Sequence, residues 1–572
     1  MALRVARGEP ATHGEDGLSP TPSARSSSTG IDERPVQRLH ATLTVPTFVR
    51  GLADAYGDSV AIEYPPGELT FAELEQRSRH LAIGLLLRGV GKGTRVGIRF
   101  GNDPSWVLWW AAVSRIGAIC VPISTFLRPP ELARVVRHSD LHALVTAPSF
   151  LGIDYVDQLT TAFVALGEAA QRTGGSGSKR IVIAEAPFLR WILIDGDHDQ
   201  PWAHGPAWLG IVDGPATDQG AGPLVDSELG EQLLTAAEAE VHPDDETIII
   251  YTSGQSADPK GVVHTHRSML TKVHYLREML GFDRSTRIEA KLPFFWVGGL
   301  VMSLFTGMDA GGVVICEGDR TRYGIGQVIG SAAVQANPYP NLTLAPALGM
   351  TETFGMYSWG TQWRVGEFDI AAPLDHFQPG LDVKLVRGSI GGSAGGPGVQ
   401  SDNEVGDGER GEIAVRGASV TNRLHKVDRT TCFDADGYYL TGDEGLRDGQ
   451  RIHFTGRLGD MIKTSGANVS PAEVERELQA FGGVLRAHVV AIPDPQRDQR
   501  VAAAIVADPV AGLTADSIRD WLKDRLSPYK VPRTIVIIDA DEIPMTPTMK
   551  VNKPALSSLL ATMAAEQSTQ ER

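Results

Sequence analysis

The stretch that decides the fold runs from Tyr251 to His266, YTSGQSADPKGVVHTH, and follows the apolar run Thr247 to Ile250. Glycines and small hydroxylated residues directly after a buried strand predict a loop whose backbone approaches an anion. The N–H groups and hydroxyls of such a loop suit phosphate oxygens, and Lys260 adds a positive charge. The pattern is not a Walker A motif, because a glycine before the lysine and a Ser or Thr after it are missing. Taken alone, the loop is better interpreted as a solvated connection between a strand and a helix.

The composition limits the class of protein. The 572 residues predict two or more domains, and the net charge of −16 gives no attraction to nucleic acid, so no nucleic-acid partner is expected. Three cysteines in no CxxC pair argue against a zinc site or a disulfide scaffold and favour the reducing cytoplasm. The N-terminus lacks the apolar segment of a secretory signal. The most apolar stretch, Val107 to Ser124, contains Arg115, so a buried helix and no integral membrane association are expected.

Strands and helices alternate before the opening stretch. RVGIRF and ICVPIS are typical of strands, and PSWVLWWAAVSRIGA between them is typical of a buried helix. Thr70 and Glu73 predict a capping box at the start of a further helix, and Met269, Val273, Leu276 and Leu280 share one helical face. This alternation predicts an α/β fold with helix-covered, mostly parallel sheets.

The domain organisation is also predicted. Residues 1–41 are interpreted as a disordered tail, because they are polar and lack periodicity. Residues 42–458 are predicted to form the large N-terminal domain. From Gly459 the pattern of predicted elements changes. A capping box at Ser470, with proline at the first helical position, begins a helix, which is followed by two strands, a second helix and a further strand. We therefore expect a small α+β domain over 459–560 and a tail over 561–572.

Four later segments place the opening stretch in a known series. They are GMTET (Gly349 to Thr353), YLTGDEG (Tyr439 to Gly445), GRLGDMIKTSGANVSPAEVE (Gly456 to Glu475) and PMTPTMKVNK (Pro544 to Lys553). Together the five segments resemble the ordered motifs of the acyl-activating adenylate-forming superfamily, which includes acyl-CoA synthetases, adenylation domains and beetle luciferases. The resemblance is closest to stand-alone fatty-acyl-CoA ligases. It implies an N-terminal domain with a β-barrel-like subdomain and a small mobile α+β lid domain at the C-terminus.

The resemblance also implies the chemistry and the residues that perform it. A carboxylate attacks the α-phosphorus of ATP, pyrophosphate leaves, and the thiol of CoA then displaces AMP, with Mg²⁺ at the phosphates. The implied phosphate-loop residues are Thr252, Ser253, Gly254, Ser256 and Lys260. The other implied residues are Thr351 at the α-phosphate, Glu352 as the Mg²⁺ ligand, Asp443 at the ribose, Arg457 beside ribose and phosphates, Lys550 for adenylation, and Gly466 on the pantetheine path.

Each of these residues has a plainer interpretation when taken alone. Asp443 is a typical turn residue, and Glu352, Arg457 or Lys550 is a typical exposed charge. Only the ordered series favours a functional role for them. His264 and His266 suggest a metal site, but no third ligand is evident, and a role between the loop and the following helix is the better interpretation.

The chain departs from the family pattern in places. Ala257 and Met549 each stand where relatives have glycine, Leu348 replaces an aromatic residue, and Trp296 stands where many relatives have histidine. The implied hinge of the lid falls on Gly459. Gly254 and Gly349 are 95 positions apart, roughly forty fewer than usual for the family. The missing material falls near Gln335 to Asn341.

Three functions follow as hypotheses. The leading one is an ATP-dependent acyl-CoA ligase acting on a fatty or other organic carboxylic acid, with free CoA as acceptor because no carrier domain follows Lys550. The second is an acyl-AMP ligase that loads a separate acyl carrier protein. The third is a catalytically impaired homologue that binds ligand as a regulator, suggested by the short interval and by Ala257. A homodimer is an assembly that all three allow.

Overall fold

The structure, a computed structural model, describes fifteen parts of the chain. They are residues 43–65, 67–167, 181–210, 225, 227–252, 259–317, 328–329, 347–359, 373–374, 376–387, 404–457, 461–464, 467–494, 498–545 and 551–570. The predicted tail over 1–41, the short interval near 335–341 and the implied hinge at Gly459 lie outside these residues, and they stay predictions.

Helices cover the sheets of the large domain and of the small C-terminal domain. The helices of the large domain are α1 (Val45–Tyr56), α2 (Phe71–Leu87), α3 (Pro104–Arg115), α4 (Pro129–His138), α5 (Tyr155–Ala162), α6 (Glu228–Ala239), α7 (His266–Leu280), α8 (Val297–Gly299) and α9 (Thr306–Asp309), with a π-helical turn (Leu300–Phe305) between the last two. Those of the C-terminal domain are α10 (Pro471–Gln479), α11 (Ala515–Lys523) and α12 (Lys553–Gln570).

Most of the strands belong to the large domain. The first group is β1 (Val60–Tyr64), β2 (Gly67–Thr70), β3 (Arg95–Arg99), β4 (Ile119–Pro122), β5 (Ala143–Thr146), β6 (Ser149–Phe150), β7 (Ile153–Asp154), β8 (Trp191–Ile194), β9 (Glu246–Thr252), β10 (Lys260–Thr265), β11 (Arg287–Glu289), β12 (Val313–Ile315) and β13 (Val328–Ile329). The second group is β14 (Ala347–Met350), β15 (Gly355–Trp359), β16 (Pro373–Leu374), β17 (His376–Phe377), β18 (Leu381–Val386), β19 (Arg410–Gly417), β20 (Arg423–Leu424), β21 (Tyr439–Asp448) and β22 (Arg451–Arg457). The C-terminal domain contains β23 (Ile462–Thr464), β24 (Ala467–Val469), β25 (Val484–Asp494), β26 (Asp498–Ala507) and β27 (Thr534–Ile537).

The central sheet has the order β20-β10-β9-β4-β3-β5-β8. The pairs from β9 to β8 are parallel, and β10 and β20 add two antiparallel strands at one edge. A second sheet, β13-β11-β12-β1-β2, shares a hydrophobic core with it. The antiparallel sheets β14-β15-β17 and β16-β22-β21-β19-β18 and the pair β6-β7 are the other sheets described in the large domain. The predicted α/β class is therefore confirmed.

Several elements form where the local sequence predicts them. Thr70 Oγ1 accepts from the Glu73 N–H (3.1 Å) and the Glu73 carboxylate accepts from the Thr70 N–H (2.9 Å), which is the predicted capping box. The helix α3 is buried on nearly all sides, and its charged residue Arg115 is buried as well. That charge is tolerated because Arg115 forms ion pairs with Glu75 and Glu238. Within the described residues, none of the helices combines the length and apolar character needed to cross a membrane.

The opening stretch forms a hairpin, which differs from the predicted connection between a strand and a helix. The segment after the loop first becomes β10, which pairs antiparallel with β9, and only then enters α7. His264 therefore lies on a strand and His266 is the first residue of the helix. The physical reason is tertiary: Val262 and Val263 fill the edge between β9 and β20 and are fully buried.

The C-terminal domain is a sheet with helices on both faces. Its order is β24-β23-β26-β25, with β27 parallel to β26. One face packs α10 and α11, through residues such as Leu478 and Leu522. The other face packs α12, through Leu556, Leu560 and Ala564. Because Ala564 is still buried there, the helix continues beyond residue 560, where a tail was predicted.

Candidate active site

The two ends of the predicted phosphate loop are held opposite each other. Thr252 ends β9, Lys260 begins β10, and the two residues face each other in the antiparallel register. Directly opposite residues of such a pair have Cβ atoms about 5 Å apart, so the two ends of the predicted loop are close together. Ser253, Gly254 and Ser256 lie outside the described residues, and their roles stay predictions.

The GMTET segment is a sharp turn between β14 and β15. A 3₁₀ turn, Thr351–Thr353, joins the strands, and the Thr353 hydroxyl donates to the Gly355 carbonyl (2.7 Å). Gly355 has φ of +115°, and a Cβ atom built there would lie 2.6 Å from Val301 Cγ1. Only glycine fits both the backbone angle and the space. The turn is therefore fixed from both sides, which fixes the positions of Thr351 and Glu352.

Glu352 is a buried carboxylate with defined partners. The residue is only 9% exposed, and its Oε1 accepts a hydrogen bond from the Tyr439 hydroxyl (2.9 Å). Its backbone carbonyl accepts from the Thr421 N–H (2.7 Å), and the Thr421 hydroxyl in turn donates to the Val263 carbonyl (2.6 Å). Glu352 is thus fastened to β10 on one side and to β21 on the other, which excludes the simple surface-charge interpretation.

A histidine on β10, His264, contacts the backbone of the same turn. His264 Nε2 lies 2.7 Å from the Thr351 carbonyl, and Nδ1 lies 3.1 Å from the Ser268 hydroxyl. Burial is the main cause that lowers the pKa of His264 to about 4, so the ring is neutral at physiological pH. Sequence reasoning considered His264 as a metal ligand and preferred a connecting role. The contact that matters, to a carbonyl 87 positions away, has no local signature.

The TGD part of YLTGDEG is a bulge in β21. Gly442 has φ of +73°, and β21 advances from Leu440 to Glu444 while its partner β19 advances only from Ala414 to Glu412. The Asp443 N–H donates to the Thr441 hydroxyl (3.1 Å), which itself donates to the Ile413 carbonyl (2.7 Å). The glycine and the threonine therefore set the direction of Asp443, which is 7% exposed.

Asp443 and Arg457 lie on adjacent strands, directly opposite in the register of β21 and β22. The backbone of Arg457 is described and its side chain is not, so its proposed contact with ribose and phosphates stays a prediction. Tyr439, which holds Glu352, begins the strand that carries Asp443 four residues later. Four strand residues span on the order of 10 Å. Through its hydrogen bond with Tyr439, Glu352 is therefore joined to the strand that carries Asp443.

The strand that follows the predicted loop contacts the acidic turn. Lys260 begins β10, and His264 of the same strand lies 2.7 Å from the Thr351 carbonyl. The hairpin strands that carry Thr252 and Lys260 are thus joined to the turn of Thr351 and Glu352 through His264, and Asp443 is connected to that turn through Tyr439.

A buried lysine lies behind the turn and was not predicted. Lys272 on α7 is completely buried and donates to the Met356 carbonyl (2.7 Å) and to the Gln378 side chain. Burial lowers the pKa of Lys272 to about 7. The predicted apolar face of α7, from Met269 to Leu280, is buried as expected, and Lys272 shares that buried side.

The donor set suits magnesium better than a protein-built metal cage. Among the residues that the structure describes, no three His, Cys, Asp or Glu side chains cluster so as to hold a metal ion. Mg²⁺ in nucleotide sites takes one or two protein carboxylates and completes its shell with phosphate oxygens and water. Glu352 is a single carboxylate of this kind, on a turn that contacts β10 through His264. Lys550 and Gly466, the remaining predicted site residues, lie outside the described residues.

Comparisons with known proteins agree with this geometry. The profile of the family described as AMP-binding enzyme matches residues 50–329, and that of the AMP-binding enzyme C-terminal domain matches residues 473–550. Feruloyl-CoA synthase of Amycolatopsis sp is 26% identical over 538 residues, which is 86% of this chain and 94% of that protein. The 3-hydroxybenzoate–CoA/4-hydroxybenzoate–CoA ligase of Thauera aromatica is 26% identical, over 89% of this chain and 96% of that protein.

Solved structures show the same fold. The amide bond synthetase McbA from Marinactinospora thermotolerans superposes with a TM-score of 0.65 at 21% identity, over 89% of this chain and 99% of that chain. The o-succinylbenzoate-CoA synthetase from Bacillus subtilis gives a TM-score of 0.62 at 19% identity, over 89% and 98%. The chain belongs to the adenylate-forming superfamily of AMP-binding enzymes, as an AMP-forming acid–thiol ligase in a family that uses ATP, Mg²⁺ and CoA.

Proposed function

We propose that this chain is an ATP-dependent acyl-CoA ligase for a fatty or other organic carboxylic acid. The observation that carries the proposal is the fixed position of Glu352. Its carboxylate is held by Tyr439 at the start of the strand that carries Asp443, and its turn contacts β10, the strand that Lys260 begins, through His264. One nucleotide lying along β21 would meet a carboxylate for Mg²⁺ at its phosphates and a carboxylate for its ribose hydroxyls.

The residues would act as follows in the first step. The substrate carboxylate attacks the α-phosphorus of ATP, the bond to the β-phosphate oxygen breaks, and pyrophosphate leaves. Mg²⁺ held by Glu352 would neutralise charge on the phosphates. Lys260, with the backbone of the loop between Thr252 and Lys260, would bind the β- and γ-phosphates. Thr351 and Lys550 would bind the α-phosphate as negative charge develops there. Asp443 would accept hydrogen bonds from the ribose hydroxyls, with Arg457 beside them.

In the second step the CoA thiol gives up its proton and attacks the acyl carbonyl, and AMP leaves as the thioester forms. The relatives are named after different carboxylic acids. They include a feruloyl-CoA synthase, a hydroxybenzoate–CoA ligase, and a medium-chain acyl-CoA ligase of Danio rerio at 24% identity. The acid accepted by this chain is therefore proposed only as a class. The names of these relatives, a CoA synthase and CoA ligases, support free CoA as the acceptor.

The test is pyrophosphate release with a panel of short, long and aromatic acids, each with and without CoA. We expect release that depends on the acid and on Mg²⁺, and thioester formation only when CoA is present. Adenylate without a CoA thioester would favour the acyl-AMP ligase that loads a carrier protein. No release with any acid would favour the impaired, ligand-binding homologue and would overturn the proposal.

A further inference from the structure

Helix α7 contacts the GMTET turn through two residues that lie one helical turn apart. Ser268 and Lys272 are both buried and are separated by four positions, so they lie on the same face of the helix. The Ser268 hydroxyl lies 3.1 Å from His264 Nδ1, and His264 Nε2 lies 2.7 Å from the Thr351 carbonyl, where the turn begins. Lys272 Nζ donates to the Met356 carbonyl (2.7 Å), just after the turn ends. The helix therefore holds the turn at both of its ends.

The Lys272 ammonium also binds a second segment of the large domain. It donates to the Gln378 side chain, whose Oε1 accepts a further hydrogen bond from the Ser419 hydroxyl (3.0 Å). The Gln378 N–H donates to the Tyr357 carbonyl of β15 (2.9 Å). Gln378 and Ser419 are both buried. Lys272 thus joins α7 to β15 directly, and it joins α7 to the segment that contains Ser419 through the Gln378 amide.

The segment that contains Ser419 also fastens Glu352. Two residues after Ser419, the Thr421 N–H donates to the Glu352 carbonyl (2.7 Å). The backbone of Glu352 is therefore held on one side by Thr421, and the strand after its turn is held by Lys272. Both contacts lead back to Lys272, one directly and one through Gln378 and Ser419. Residues that hold the backbone of a metal ligand in this way fix the direction of its side chain.

The burial of Lys272 is unfavourable for folding. The residue is completely buried, and its acceptors in the described part of the chain, the Met356 carbonyl and the Gln378 amide oxygen, are neutral. Burial lowers the pKa of Lys272 to about 7, and no carboxylate among the described residues opposes that shift. A charge removed from water without an opposite charge costs free energy. Methionine, with a similar length, would fill the same space without this cost, so the ammonium is better explained by a role in function.

We propose that Lys272 is a positioning residue for the activation step, because it holds the turn that carries Thr351 and Glu352. The inference rests on the proposed ligase function, in which Glu352 binds Mg²⁺ and Thr351 binds the α-phosphate. Lys272 acts through the backbone of β15 and through Gln378, and the nucleotide is bound by other residues. Loss of a residue that orients a metal ligand typically lowers metal affinity or activity by about 10- to 100-fold.

The test exchanges Lys272 for methionine in the full-length enzyme. Lys272→Met is expected to lower acid-dependent pyrophosphate release by about tenfold and to raise the Mg²⁺ concentration for half-maximal release by about fivefold. Its melting temperature at pH 7 is expected to stay within about 3 °C of wild type, because removal of the buried charge offsets the two lost hydrogen bonds. Leu276→Met, a volume-conserving exchange on the same buried side of α7, is the matched control and is expected to leave release and its Mg²⁺ dependence unchanged.

Amide hydrogen exchange separates failure of the positioning role from failure of the ligase function, because it needs no activity. Backbone amides from Gly349 to Tyr357 are expected to exchange faster in Lys272→Met than in wild type, and at the wild-type rate in Leu276→Met. If the wild type released no pyrophosphate with any acid, the ligase function would fail, and exchange would still report whether Lys272 holds the turn. Unchanged exchange, an unchanged Mg²⁺ dependence of Lys272→Met, or a loss of release accompanied by a fall in melting temperature of more than about 10 °C would each overturn the proposal.

Discussion

At the scale of single residues, contacts with partner residues give common residue types a defined position in the site. Glu352, Asp443 and Lys260 are of types that are usually found on protein surfaces without a functional role. Their motifs predicted their roles only as a series, because no single residue carries a signal of its own. Tyr439 lies inside a motif that was recognised, yet its bond to Glu352 spans 87 positions and cannot be inferred from either segment alone.

We predict that Glu352→Gln lowers acid-dependent pyrophosphate release by about 10²-fold, since the amide can still accept from Tyr439 but no longer pairs with a cation. The melting temperature should stay within about 2 °C of the wild type. The control is Tyr439→Phe, which removes the donor and keeps the carboxylate. Its loss of activity should be smaller, corresponding to about 1 kcal/mol. An unchanged dependence of Glu352→Gln on Mg²⁺ concentration would contradict the assignment of Glu352 as the metal ligand.

A second residue-scale prediction concerns the turn glycine. Gly355→Ala places a methyl group against Val301 at a backbone angle that alanine rarely adopts. We expect it to lower the free energy of unfolding by about 2–4 kcal/mol, measured by urea denaturation. Gly91→Ala is the matched control, because nothing lies within 4 Å of its Cβ position. Its effect should be within about 0.5 kcal/mol. Equal effects of the two changes would show that the turn is not rigid.

At the scale of elements, local sequence patterns predicted features of the helices correctly, whereas the pairing of distant strands was not predicted. The capping box at Thr70 and the apolar face of α7 are determined by neighbours three or four residues apart, so the sequence was sufficient. The short strand β10 was missed, because its register depends on β9 and on β20 more than 150 positions later. Lys272 was not predicted to be buried, since its acceptor, the Met356 carbonyl, comes from β15.

Lys272 provides a prediction about pH. Its pKa is about 7 in the folded chain and about 10.5 when exposed, so between these values the unfolded chain binds more protons. The contribution of Lys272 to stability therefore rises with pH across this window, by up to about 1.4 kcal/mol per pH unit. We expect the stability of Lys272→Met relative to wild type to be highest near pH 7 and to fall toward pH 10, as measured by urea denaturation. Lys523→Met, at an exposed lysine, should show no such trend. A constant difference between Lys272→Met and wild type would contradict the lowered pKa.

At the scale of the whole molecule, the order of the motifs predicted two domains and a nucleotide site, and the fold class agrees. What the sequence could not predict is how the domains meet. Glu131 and Lys530 are 399 positions apart, and each is a typical surface residue until its partner is known. The large domain also presents Trp296, which stands where many relatives have histidine, to Tyr529 of the other domain.

We predict that Lys550→Ala abolishes pyrophosphate release and largely keeps acyl transfer from supplied acyl-AMP to CoA. The reason is that this lysine would act only while the α-phosphate is attacked. The measurement is the rate of each half-reaction, with Lys523→Ala as a control on the same domain. A parallel loss of both half-reactions would show that Lys550 does not have the proposed role.

The two-sided sheet of the C-terminal domain has a consequence for the order of events. Its helices α10 and α12 lie on opposite faces, so a single rigid piece cannot offer both surfaces to the nucleotide at once. Under the proposed function, a step that needs one face of this domain at the nucleotide and a step that needs the other face could not proceed at the same time.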